Sequence, residues 1–174
     1  MYALPASESK PFTKDEAAQF KAQLDDSSAD EALQLIMSIQ EMGRVPAQAA
    51  MAQIGEDGNV YAYAGGIAME TGQLPIASDI IRGQKRINDN PSIKAQIGQS
   101  SDDMSMSFNS IVGASLAGIA PDQRQAIQDA ALAHYVETYV SRGAEGFNNA
   151  AYTKSVQSVI GGDRVQDVNG QKVV

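Results

Sequence analysis

The chain has 174 residues, and its 21 acidic and 13 basic side chains give a formal net charge of −8. Such an acidic balance predicts repulsion of nucleic acid, and the absence of cysteine excludes disulfides and thiolate metal sites. No apolar run is long enough to span a membrane, and the N-terminus "MYALPASESKPF" lacks the basic leader and apolar core of a signal peptide, so neither is expected.

The first elements in chain order are an extended lead-in over residues 1–12 and two helices that open with capping boxes. Thr13 with Glu16, and Ser28 with Glu31, have the Ser/Thr-x-x-Glu spacing in which hydroxyl and carboxylate each bond the other residue's backbone N–H. These boxes predict helices over about 14–25 and 28–42. The second helix has an apolar stripe formed by Ala32, Leu35, Ile36, Ile39 and Met42.

Glycine and proline divide the middle of the chain into short helices. One helix contains Pro46 in its first turn and ends at Gly55, and another covers about 60–70. Pro75 begins the next helix, and Asn90-Pro91 predicts an N-cap with proline at the first helical position. After a polar hinge, the spacing of apolar residues predicts a helix over about 103–119.

The last third of the chain contains the longest predicted helix, over about 121–142. Its segment "AALAHYVETYV" is apolar on nearly every side, which indicates a buried central helix. Asn148 is then predicted to cap a helix that stops at Gly161-Gly162. Beyond it, two short β-prone runs flank Asn169-Gly170, a pair typical of a type I′ hairpin turn.

This order of elements predicts an all-α fold, namely a multi-helix globular bundle of about eight helices with a C-terminal β-hairpin. No alternation of strands and helices suggests a parallel sheet. We expect one helical domain over residues 13–162, followed by a tail over 163–174 that continues into a longer parent protein.

The densest basic cluster consists of Arg82, Lys85 and Arg86. At about 100° per residue these three lie on the side of their helix opposite Ile76, Ile80 and Ile87. The pattern favours a solvated helix face over a weak contact for an anion or a partner, and both interpretations stay open.

Residues that could carry catalysis are few. His134 is the only histidine, and its apolar neighbours favour a buried, non-catalytic role. The carboxylate pairs at 25–26, 56–57 and 102–103 fall at predicted helix ends or turns, and Glu70 ends a helix. We therefore predict no catalytic residue, no cofactor and no metal site, although a peptidoglycan-cleaving carboxylate that pattern alone does not reveal is an alternative.

Three segments, taken in order, are similar to a known family. They are "AYAGGIAMETGQLPIASDIIRGQKRINDNP", the stretch from "FNSIVGASLAGIAPDQRQ" through "YTKSVQSVIGG", and the closing "VNGQKVV". Together they resemble a helical region of long bacteriophage internal virion proteins of the DNA-ejection type, some of which also carry lytic transglycosylase modules. The resemblance covers roughly residues 30–174.

The resemblance implies a non-enzymatic structural domain of a phage or prophage virion protein, with other virion proteins as partners. It implies a location in the virion, or in the bacterial cytoplasm before assembly. The alternatives are the peptidoglycan-cleaving module and a helical adaptor that binds a partner peptide through a methionine-lined groove near "MSMSF".

Overall fold

A computed structural model of the chain describes residues 10–55, 58–98, 101–116, 118–161, 166–168 and 171–173. Within these ranges it confirms the predicted all-α fold, with nine α-helices where about eight were predicted. In chain order they are α1 Lys14–Asp26, α2 Ala29–Gln40, α3 Arg44–Gln53, α4 Gly58–Thr71, α5 Leu74–Asp89, α6 Ser92–Ile97, α7 Ser101–Val112, α8 Pro121–Thr138 and α9 Asn149–Val159.

Two short strands close the described part of the chain. β1 Gln166–Val168 pairs with β2 Gln171–Val173 in antiparallel register, with Asp167 opposite Lys172. Residues 169–170, the predicted turn, lie outside the described residues, as do the predicted Gly162 of the helix stop and the carboxylate pair at 56–57. The hairpin therefore stays a prediction.

The predicted capping devices at three helix starts are confirmed. Thr13 and Ser28 each accept from the backbone N–H three residues on, while Glu16 and Glu31 accept from the backbone N–H groups of Thr13 and Ser28. The Asn148 Oδ1 atom accepts from the Ala151 N–H at 3.0 Å and so caps α9. Each cap satisfies an N–H group that the first helical turn leaves without a backbone partner.

Several predicted helix ends and one core residue differ from the structure. The predicted helices 103–119 and 121–142 each end early and continue as 3₁₀ turns, over Gly113–Leu116 and Val140–Arg142. Met42, predicted in the apolar stripe of α2, is 48% exposed. Because α2 ends at Gln40, the 3.6-residue period no longer fixes the direction of the Met42 side chain.

The chain divides into two compact units, residues 1–81 and 82–174. In the first unit, α2 and α3 both pack on α4. Gly65 permits the close contact of α2 with α4, since a Cβ at that position would lie 2.6 Å from Ile36 Cγ2. The core of this unit includes Leu24, Ile36 and Met51. The prediction of one helical domain over residues 13–162 remains a prediction.

In the second unit, α8 packs on α9, which also contacts α7. The C-terminal part of α5 crosses α8 at Gly83, where a Cβ would lie 1.8 Å from the backbone oxygen of Ala133. The largest fully buried side chains here are Phe108, Tyr135 and Tyr152. The predicted burial of the "AALAHYVETYV" helix is confirmed for Tyr135 and Val136, which have no exposed surface.

Candidate functional site

The three residues of the basic cluster lie along one side of α5. Arg86 is exposed, whereas Arg82 and Lys85 are half-buried. The opposite side carries Ile80 and Ile87, which are buried as the predicted pattern requires. The helix thus brings the three cations together, and their environments differ from a uniformly solvated face.

Arg86 is engaged by another helix. Its Nε atom donates to Glu137 Oε2 of α8 at 2.6 Å, and the Glu137 side chain is only 15% exposed. A carboxylate this far from solvent is stabilised by a charged hydrogen bond. The contact lies beside the crossing of Gly83 with Ala133 and therefore fastens α5 to α8. An external anion would have to compete with Glu137 for this guanidinium.

The carboxylates considered for catalysis lie at helix ends. Asp25 and Asp26 are exposed at the end of α1, and Asp102 and Asp103 are exposed in the first turn of α7. Glu70 is exposed one residue before the end of α4. Acidic side chains in a first helical turn interact favourably with the helix dipole and stabilise the helix, which gives the α7 pair a structural role.

His134 and the methionines near residue 104 also take structural positions. His134 is buried within α8. In "MSMSF", Met104 is buried whereas Met106 is 63% exposed, so the two thioethers point to different environments. A methionine-lined groove needs neighbouring side chains on one exposed surface. This segment does not supply that arrangement.

A hydrogen-bond network joins α8 to the start of α9. The Tyr135 hydroxyl accepts from the Asn148 N–H at 3.0 Å and lies 3.5 Å from the Gly146 carbonyl, to which it donates. Asn148 Nδ2 donates to the Tyr139 hydroxyl at 3.1 Å. Burial raises the pKa of Tyr135, and the hydrogen bond from Asn148 opposes part of that increase. The network positions the residue that caps α9.

The aromatic rings around Tyr135 form one cluster, defined as Tyr135, Tyr139, Phe147 and Tyr152. Tyr135 stacks on Tyr139 at 5.3 Å between ring centroids and meets Tyr152 edge-to-face at 5.7 Å.

Burial, with a contribution from the charge of Asp129, raises the pKa of Tyr152. In the other unit, burial and the charge of Glu70 raise the pKa of Tyr63 to about 12. The phenols of Tyr152 and Tyr63 are therefore uncharged near neutral pH.

A pocket of about 400 Å³ lies beside the start of α1. No site was predicted there from the sequence. Lys14 and Lys21 are seven residues apart on α1 and so share one face, with Ala17 and Ala18 between them. The alanines leave space where longer side chains would fill it. Lys10, from the segment before α1, also lines this space, which we call the lysine pocket.

The other side of the lysine pocket is held in place by Gln53 at the end of α3. Its Oε1 atom accepts from the Phe12 N–H at 3.1 Å, and its Nε2 atom donates to the Phe12 carbonyl at 2.8 Å. The Phe12 ring packs on Phe20 at 5.5 Å between centroids. These contacts fix the segment before α1 against α3, so the pocket is formed without a ligand. Buried Ala17 and Ile54 contribute apolar surface to it.

Two other kinds of site are absent from the described residues. No group of three or more histidine and acidic side chains in these ranges could hold a metal ion. Similarly, none of the helices described here combines the length and apolar character needed to cross a bilayer.

Comparisons with known proteins add no relative: no family model, curated protein or solved structure matches this chain.

Proposed function

We propose that the chain is a non-enzymatic structural domain of a phage or prophage virion protein, acting in assembly or in the ejection machinery. The observation that carries the proposal is the structural use of the residues in the resembling segments. In these segments the small and apolar residues form contacts between helices, and polar residues cap helices.

The segment "LPIASDIIRGQKR" illustrates this use. Ala77, Ile80 and Ile81 are fully buried, and Gly83 lies against the Ala133 backbone. At the start of the same helix, Ser78 Oγ donates to Asp30 Oδ1 at 2.5 Å. An enzyme site needs polar groups that remain available to a substrate, whereas these side chains are committed to internal contacts.

The segment from α8 to α9 supports the same role. Asn148 donates to the hydroxyls of both Tyr135 and Tyr139, and Val156 is fully buried in α9. The proposal includes the C-terminal hairpin with its Asn169-Gly170 turn, which the pairing of β1 with β2 supports. It also includes other virion proteins as partners and a location in the virion, or in the bacterial cytoplasm before assembly.

The test is whether the protein is a component of virus particles. In a host that carries the gene, particles released after prophage induction are banded in a density gradient and analysed by mass spectrometry. We expect the tryptic peptide Gln125–Arg142 to co-sediment with capsid peptides, while a ribosomal peptide from the host is depleted from the same band. Recovery of the peptide only from the soluble host fraction would contradict a virion role.

A second arm of the test addresses the enzyme alternative. Purified protein is added to a suspension of bacterial cell walls, with a muramidase as the positive control, and turbidity is followed. We expect no clearing. Clearing by the wild-type protein that Glu70→Gln abolishes would identify a peptidoglycan-cleaving module and would refute the non-enzymatic part of the proposal.

A further inference from the structure

The lysine pocket combines positive charge with apolar surface in a chain of net charge −8. Its volume of about 400 Å³ lies within the range of about 300–1,000 Å³ that is usual for small-molecule sites. Three lysines line it, Lys10, Lys14 and Lys21. The overall field repels anions, so three cations around one concave, partly apolar space form a distinct local environment.

The three lysines differ in how they are engaged. Lys21 pairs with Asp25 at 3.0 Å, and both side chains are nearly half exposed. Within the described part of the chain, no ion pair joins Lys10 or Lys14 to another residue. An exposed pair such as Lys21 with Asp25 is weak, so an incoming anion can compete for the Lys21 ammonium.

We infer that the lysine pocket binds a phosphate monoester that carries a short apolar substituent. A phosphate monoester has close to two negative charges at neutral pH, which suits several ammonium groups better than a single carboxylate charge does. Lysine binds phosphate as a point charge and does not require the planar geometry of a guanidinium. The apolar substituent contacts the half-buried Phe12 and the exposed Ala18 and removes their surface from water.

The pocket is also pre-organised, which limits the entropy that binding costs. The two hydrogen bonds between Gln53 and the Phe12 backbone hold opposite walls together across 41 positions of sequence. Ala18 is exposed at the opening, so its side chain can be enlarged without disturbing the core. A larger side chain at Ala18 therefore blocks the pocket while leaving the stability of the fold unchanged.

The experiment is a titration of the ¹⁵N-labelled full chain with hexyl phosphate, followed by amide chemical shifts. Inorganic phosphate tests the contribution of the phosphate group alone, and hexanol tests that of the alkyl chain alone. We expect saturable shifts confined to residues near 10–21 and 53–54, and affinity at least about tenfold higher for hexyl phosphate than for either partial probe, since each lacks one class of contact.

Variants test the assignment to this pocket. Ala18→Leu fills the opening and should abolish the shifts, whereas Ala22→Leu, at another exposed alanine of α1 that does not line the pocket, should keep them. Lys14→Ala should weaken binding about two- to fivefold, the scale of one exposed charge contact, whereas Lys94→Ala on α6 should have no effect. Asp25→Asn releases Lys21 and should strengthen binding by a similar factor.

Three results would overturn the inference. The first is the absence of saturable shifts, and the second is equal binding of inorganic phosphate, which would reduce the site to non-specific charge. The third is binding that Ala18→Leu leaves unchanged. None of these results depends on whether the protein is found in virus particles.

Discussion

Gly66 and Gly83 are both helical glycines, but only one of them has room for a side chain. A Cβ on Gly83 would lie 1.8 Å from the Ala133 oxygen, and a backbone atom cannot move aside as a flexible side chain can. A Cβ on Gly66 of α4 would meet no atom within 4 Å. Identical substitutions at these two positions therefore separate helix propensity from helix packing.

We expect Gly83→Ala to lower the free energy of unfolding by about 1–3 kcal/mol, because α5 and α8 must separate to accept the methyl group. Gly66→Ala should instead raise it by about 0.5–1 kcal/mol, because alanine is the better helix former and loses less backbone entropy. Urea denaturation of both variants measures the difference. If Gly83→Ala were as stabilising as Gly66→Ala, α5 and α8 would not approach each other as closely as the structure shows.

At the scale of the helix, the capping box of α2 links stability to acid pH. The backbone N–H and the hydroxyl of Ser28 both donate to Glu31, and these hydrogen bonds hold the pKa of Glu31 below its ordinary value. A carboxylate with a depressed pKa in the folded state stabilises the fold above its unfolded pKa. That stabilisation is lost as the pH falls through the folded pKa.

Ser28→Ala should lower the free energy of unfolding by about 1 kcal/mol at neutral pH, the usual cost of losing an N-cap. The gap between variant and wild type should narrow as the pH falls below the ordinary pKa of a glutamate and through the lowered pKa of Glu31, where Glu31 becomes protonated in the wild type. Thermal melts across this pH range provide the measurement.

Ser38→Ala is the matched control for the Ser28 variant. Ser38 lies in the same helix and donates to the Leu35 carbonyl at 2.7 Å without serving as a cap. Its replacement should have little effect on stability at any pH in the range, since alanine favours the helix interior. Equal losses for the two variants would show that the capping box contributes nothing specific to α2.

The three capped helix starts were predictable because their signals are local, whereas the start predicted at Asn90-Pro91 was wrong: α6 begins at Ser92, and Pro91 is its N-cap residue. Thr13 with Glu16, and Ser28 with Glu31, are separated by three residues and need no other part of the chain. Helix ends were less predictable, since α7 and α8 pass into 3₁₀ turns after Val112 and near Thr138 without a local residue signal that was recognised. Met42 was misplaced because α2 ends at Gln40, and the helical period on which its prediction rested does not extend beyond that residue.

The lysine pocket could not be predicted as a whole from sequence. The spacing of Lys14, Ala17, Ala18 and Lys21 is visible as one face of a helix, and it was the available local signal. The opposite wall comes from Gln53, which is 41 residues from its partner Phe12. The basic cluster, by contrast, was recognised by composition, whereas the pairing of Arg86 with Glu137 across 51 positions was not.

On the scale of the whole molecule, the net charge of −8 opposes binding to any polyanion. We expect no retention on immobilised double-stranded DNA at about 0.15 M salt, where the screening length is about 8 Å and a small cluster of cations, one of them paired with Glu137, is largely screened. A variant with Arg82, Lys85 and Arg86 all changed to Ser should elute at the same salt concentration as the wild type.

A different elution pattern would change the interpretation of the basic cluster. Retention of the wild type that the triple variant loses would identify the cluster as an anion contact, which is the alternative left open by its sequence. A variant with Lys94 and Lys154 changed to Ser, two exposed lysines on α6 and α9, is the control for loss of positive charge elsewhere on the surface, although it removes two charges and the triple variant removes three.

The aromatic cluster also determines how this protein can be observed. The chain has no tryptophan, so its near-ultraviolet signal comes from tyrosine with a minor part from phenylalanine. Tyr135, Tyr139 and Tyr152 hold fixed mutual angles at centroid separations of 5.3 and 5.7 Å from the central ring, which couples their electronic transitions. Near-ultraviolet circular dichroism is lost when such packing loosens even if helices persist. The contact of α8 with α9 therefore contributes to an intrinsic signal of tertiary packing that needs no label.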